Sequence, residues 1–130
     1  MLYAILCYDS EDVVGAWTKE EDDAVMAKLV VVQQKLADQG RLGPVARLLP
    51  TTAATTIRKG REPLVIDGPF AETKEQLGGY YLIDVADLDA AIAVAADIPG
   101  AHGGTVEVRP IMDYEAVRAG QPQATAGAQA

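Results

Sequence analysis

The sequence is poor in the residues that build most metal and redox sites. It has one cysteine, one histidine, one tryptophan and one phenylalanine in 130 residues. A single cysteine excludes an intrachain disulfide. One His and one Cys cannot supply a His/Cys metal cage within one chain, so neither a metal nor another cofactor is expected. Positive charge is scarce as well: 11 Lys and Arg stand against 19 Asp and Glu, a net charge of -8. Phosphate binding needs a concentrated cationic face, so nucleic acid and anionic membrane surfaces are excluded as partners. No apolar run approaches the ~20 residues of a membrane span. Met1-Leu2-Tyr3 offers no basic n-region and no small-residue cleavage site, which reads as a cytoplasmic protein.

What is present suits one globular domain. Hydrophobic residues make up 49% and charged residues 23%, enough for a single core at this length. Residues 2–8 form a strand that is apolar on both faces: Leu2, Ala4 and Leu6 on one, Tyr3, Ile5 and Cys7 on the other. Residues 8–17 read as a loop. Thr18 followed by Glu21 is a capping box, and Val25, Leu29, Val32 and Leu36 recur at helical spacing up to a Gly40 stop. Residues 52–58 and 64–66, around a Lys59–Glu62 turn, predict a hairpin. Residues 72–76 predict one helical turn. Residues 80–85 are a strand with Tyr81, Ile83 and Val85 on one face and Tyr80, Leu82 and Asp84 on the other. A second helix is expected over 87–97 with Leu88, Ala91, Ile92 and Ala95 inward. The last strand, 105–111, separates Val106 and Val108 from Thr105, Glu107 and Arg109. The order is βαββαβ with an inserted hairpin, the ferredoxin-like α+β pattern. Two helices cover one sheet face, so a second copy of the sheet is the expected cover for the other.

Asp67-Gly68-Pro69-Phe70, Glu72-Thr73-Lys74-Glu75, Gly78-Gly79-Tyr80-Tyr81 and Glu107-Val108-Arg109-Pro110 form a specific set. By it the chain resembles the YCII-related family, in its DGPF-domain branch, over residues 1–114, with 115–130 a weakly structured tail. The resemblance implies a ferredoxin-like fold that pairs through its sheets into a dimeric α+β barrel, hence a homodimer. Related dimeric barrels include muconolactone isomerases. Some members of the branch are linked to extracytoplasmic-function sigma factors, which implies a non-catalytic regulatory or interaction role as the alternative to an enzyme. The family's His–Asp pair places its His near the first helix. This chain has no His between Met1 and Gly40, so only Asp67 carries over.

The candidate site therefore centres on Asp67, at the end of an apolar strand and before Gly68-Pro69. It is either a general base at a cleft mouth or an Asx-turn residue satisfying nearby N–H groups. Arg109 offers a bidentate fork for a carboxylate, or pairs structurally with Glu107 and neighbouring strands. Lys74 holds an anionic group or offsets Asp67. Tyr80 suits a ligand wall or an interface equally, and Thr105 shares the polar face of the last strand. The ligand expected is small and polar or anionic, and the chemistry cofactor-free proton transfer. His102 is either a proton carrier or a solvated loop residue. Cys7 reads as an inert buried thiol, and the acidic residues at 9–12 and 20–23 as a solvated face.

Overall fold

The computed structural model describes residues 1–98 and 104–112. The strands are β1 (Leu2–Asp9), β2 (Leu42–Arg47), β3 (Thr55–Arg58), β4 (Leu64–Asp67), β5 (Gln76–Asp84) and β6 (Thr105–Pro110). The helices are α1 (Glu11–Gly15), α2 (Lys19–Asp38) and α3 (Leu88–Asp97). This is a mixed α+β domain. Its main sheet has the order β2-β5-β1-β6, antiparallel throughout. β3 and β4 form a separate two-stranded hairpin.

The core lies between the sheet and its helices. Tyr3, Ile5, Tyr81 and Ile83 come from the strands and Val85 from just past β5; Leu36 comes from α2 and Ala91 from α3. Ile5 and Ile83 are wholly buried, each contributing about 1.5–3 kcal/mol of apolar transfer. Their partners in alternation, Leu2, Ala4, Leu6, Tyr80 and Leu82, face the other way and are half-buried. The expected division of faces is therefore present on β1, β5 and β6, where Val106 and Val108 pack on the core.

α2 forms where its caps put it. Thr18 accepts from the Glu21 N–H at 3.1 Å, and the Glu21 carboxylate reaches back to the Thr18 N–H. Gly40, at φ +68° just past the helix, takes the left-handed turn that glycine adopts cheaply.

Three local expectations differ from the structure, and β2 is a strand that the sequence reading leaves out. Residues 11–15 are a helix, not loop, because Glu11 is anchored at both ends: its N–H donates to Gln76 Oε1 at 2.9 Å, and its carboxylate accepts from the Thr51 N–H and hydroxyl at 2.6 and 2.7 Å. Residues 72–75 are not helical, and β5 begins at Gln76, earlier than the aromatic run suggested. In α3, Leu88 and Ile92 are about half exposed, while Ala91 is buried with Ala90, Val94 and Ala95 against the core; small side chains let this helix approach closely. β2 carries Gly43 and Pro44 inside it. It is an edge strand with an irregularity between Leu42 and Val45, the setting that tolerates proline. His102 and the tail beyond residue 112 lie outside the described residues.

Candidate functional site

A cleft of about 700 Å³ opens between the N-terminal half of α2 and the sheet. α2 contributes Asp22, Val25, Met26, Leu29 and Gln33, a stripe at i, i+3, i+4, i+7 and i+11. The sequence reads Val25, Leu29, Val32 and Leu36 as one inward stripe. In the structure Leu36 is buried, while Val25 and Leu29 wall the cleft. The floor comes from Cys7 and Asp9 of β1, Val45 and Arg47 of β2, and Gly78, Gly79 and Tyr81 of β5. Val14 of α1, Trp17 and residues 48–50 close the sides.

The glycines of the floor are fixed by packing. A Cβ on Gly79 would sit 2.7 Å from the Ala46 carbonyl oxygen of β2. A Cβ on Gly78 would fit, 3.8 Å from the Cys7 carbonyl and 4.0 Å from Asp9 Oδ2.

Most of the lining is apolar, and its charges gather at the rim. Arg47 grips Asp22 with both guanidinium nitrogens, at 2.7 and 3.3 Å. This hydrogen bond holds the Asp22 carboxyl below its usual value and raises Arg47 further. Arg47 is thus already engaged by a carboxylate. Glu11 is taken up by Thr51. Deeper in, burial, reinforced by the Asp9 charge, pushes the Cys7 thiol up to about 11. It stays protonated at neutral pH and is no nucleophile. Burial also raises the Tyr81 phenol, opposed by a long 3.5 Å hydrogen bond donated by Gln33. Tyr81 thus presents a neutral hydroxyl to the cleft.

The residues singled out in the sequence lie elsewhere. Asp67 is exposed at the end of β4, opposite Thr55. Lys74 is exposed in the segment before β5. Tyr80 lies on the sheet face away from the helices, between Leu6 and Ala46. Thr105, Glu107 and Arg109 lie on that same face of β6, opposite Tyr8, Leu6 and Ala4. The structure brings these last four to one sheet face. The Thr105 hydroxyl donates to the Glu75 carboxylate at 2.8 Å, and among the described residues Arg109 forms no ion pair. None of the six lines the cleft. Asp9, Asp22, Arg47 and Trp17 do, and only the acidic run gave them any signal in the sequence. Among the described residues no group of His, Cys, Asp and Glu is placed to hold a metal, and no helix is long and apolar enough to cross a membrane.

Fold and cleft together define a small α+β domain with a half-open, largely apolar pocket. The family profile of the YCII-related domain matches residues 1–115. The chain belongs to the YCII-related family. An uncharacterised protein of Rhizobium meliloti (strain 1021) is 57% identical over 118 residues, which cover 88% of this chain and 95% of that protein.

Proposed function

We propose that this protein binds a small molecule in the α2–sheet cleft and performs cofactor-free proton transfer on it, as a cytoplasmic homodimer of ferredoxin-like protomers. The observation that carries the reading is the cleft itself: about 700 Å³, apolar along its walls, with polar groups at its floor and rim. This is the composition of a ligand site, in which a few polar atoms fix orientation. Of the two carboxylates that bear on the chemistry, Asp9 lines the cleft and Asp67 stands on the exposed hairpin. Asp9 is therefore the proposed base for a ligand held here, with the neutral Tyr81 hydroxyl as hydrogen-bond donor. Arg47 is already engaged by Asp22, which favours a ligand that is mostly apolar with a polar head over the small polar or anionic one expected with Arg109 and Lys74. The sheet order, with both long helices on one face, supports the ferredoxin-like assignment. The half-buried Leu2, Ala4, Leu6 and Leu82 on the opposite face support pairing of two sheets into an α+β barrel.

Trp17, the single tryptophan, lines the cleft and reports on it directly. Titration with 1-anilinonaphthalene-8-sulfonate should give saturable energy transfer from Trp17, and native mass spectrometry should find a small molecule carried through purification. Val25→Phe, which adds a ring to the helical wall, should abolish both. Transfer and carried ligand unchanged in Val25→Phe would remove the cleft from function.

One observation favours a second reading, an interaction protein without catalysis: the hairpin exposes Ile57, Leu64 and Val65 to solvent.

A further inference from the structure

Among the described residues, one side of the β3–β4 hairpin is left open to solvent. Its strands pair with each other and make their principal contacts there. Ile57 and Val65 are directly opposed, so they share one side of the hairpin. They are 60% and 64% exposed. Two-stranded hairpins are marginal alone in water and need a surface to pack on, and among the described residues no third strand pairs with either edge here.

Charge says which surface that is. The chain carries -8 overall, yet the hairpin tip holds Arg58, Lys59 and Arg61 against only Glu62. Among the described residues none of these three cations forms an ion pair. Residues 9–23 are the reverse: seven carboxylates and one lysine. Within them Asp12 and Glu20 are exposed and without an ion pair among the described residues, and Asp23 is held only by the exposed Lys19 at 3.4 Å. Cationic arm and anionic face belong to one chain, and among the described residues no ion pair joins them.

We propose that the β3–β4 hairpin is an arm exchanged between two copies of this chain, its basic tip against the acidic α1–α2 surface of the other copy and its Ile57–Val65 side covered there. Two-fold symmetry makes the contact reciprocal: each copy gives an arm and receives one. The arm springs from the cleft rim, since residues 48–50 and Gln76 line the cleft on either side of the insertion. The surface it meets begins at α1, which walls the same cleft. Each cleft mouth is thereby bordered by a neighbour's arm. This contact is additional to sheet-face pairing and does not depend on it.

Charge exchange tests the arm. The tip-reversed chain R58E/K59E/R61E and the face-reversed chain D12K/E20K/D23K change exposed positions only, so circular dichroism and melting should stay close to the parent. Each alone opposes like charges across the contact, and its self-association by sedimentation velocity should weaken about tenfold or more at low salt. Mixed in equal amounts, they should form a heterodimer of parental strength, because both reciprocal contacts are again of opposite sign. Ile57→Ser with Val65→Ser should weaken the parent's association at any salt. Unchanged association of the tip-reversed chain overturns the proposal, as does a mixture with no heterodimer, or a parent monomeric at all micromolar concentrations. If Leu6→Glu on the open sheet face gives monomers while the tip-reversed chain stays dimeric, the arm exchange fails and the sheet-paired dimer stands.

Discussion

Gly79 of β5 and Ala46 of β2 approach so closely that any β-carbon on Gly79 would lie 2.7 Å from the Ala46 carbonyl oxygen. The neighbour is backbone and cannot rotate away. Gly79→Ala must therefore push the edge strand off the sheet, and it should cost about 1–3 kcal/mol of stability. Urea unfolding monitored by Trp17 fluorescence measures this. A loss below half a kcal/mol, on the same scale of about 1–3, would show that β2 yields freely.

Gly78→Ala makes the opposite prediction. Its methyl meets nothing closer than 3.8 Å, so the fold should be kept. The methyl enters the cleft beside Asp9, so dye or ligand affinity should fall while the melting temperature holds. Asp9→Asn should leave ligand affinity within a few fold and remove turnover of any substrate found.

The Cys7 thiol makes a pH prediction. Unfolded, it ionises near its ordinary 9.0; folded, near 11. Below pH 9 both states hold the proton and stability does not respond to this group. Between the two values the unfolded chain releases a proton that the folded chain keeps, so stability falls as pH rises. Partial exposure limits the loss to no more than about 2 kcal/mol by pH 11. At neutral pH the thiolate population should be about a hundredfold below that of an ordinary cysteine. Iodoacetamide should label the native protein correspondingly slowly, and Cys7→Ser should abolish the alkaline slope.

Glu11→Ala removes the carboxylate that accepts from both the Thr51 N–H, at 2.6 Å, and the Thr51 hydroxyl, at 2.7 Å. The cost should be about 1–3 kcal/mol, and it should be local. Amide hydrogen exchange should speed at Thr51 and through β3 and β4 while β1 and β5 keep their protection. Uniform acceleration would mean that Glu11 supports the whole domain instead.

Asp67→Asn should cost at most about 1 kcal/mol and leave dye binding in the cleft unchanged, since Asp67 is exposed and does not line it. Lost binding in a folded Asp67→Asn protein would return Asp67 to the site.

The sequence carries the sheet's faces and the long helix plainly, because both are periodic. Tyr3-Ile5 and Tyr81-Ile83 alternate, and the Thr18–Glu21 pair caps α2 as its spacing requires. β2 is obscured because its proline and glycine look like loop residues until the edge position is known. The cleft is obscured for a different reason. Val25 and Leu29 are spelled like core, and nothing local says that α2 stands off the sheet there. Residues near the DGPF segment draw notice by composition and resemblance, and the hairpin that carries Asp67 is legible because its strands pair across a short turn; its separation from the main sheet, and so from the cleft, is what no short motif encodes. α1 depends on Gln76 and Thr51, which lie 65 and 40 residues away from Glu11.

Glu11 touches both roots of the insertion, Thr51 on one side and Gln76 on the other, and it also lines the cleft. A ligand that shifts Glu11 therefore shifts the base of the arm. Binding free energies on a closed cycle must balance. Whatever factor cleft occupancy applies to the association of two chains, association applies the same factor to ligand affinity. Apparent ligand affinity should then vary with protein concentration, and this domain would meter its own abundance through a pocket that senses something else.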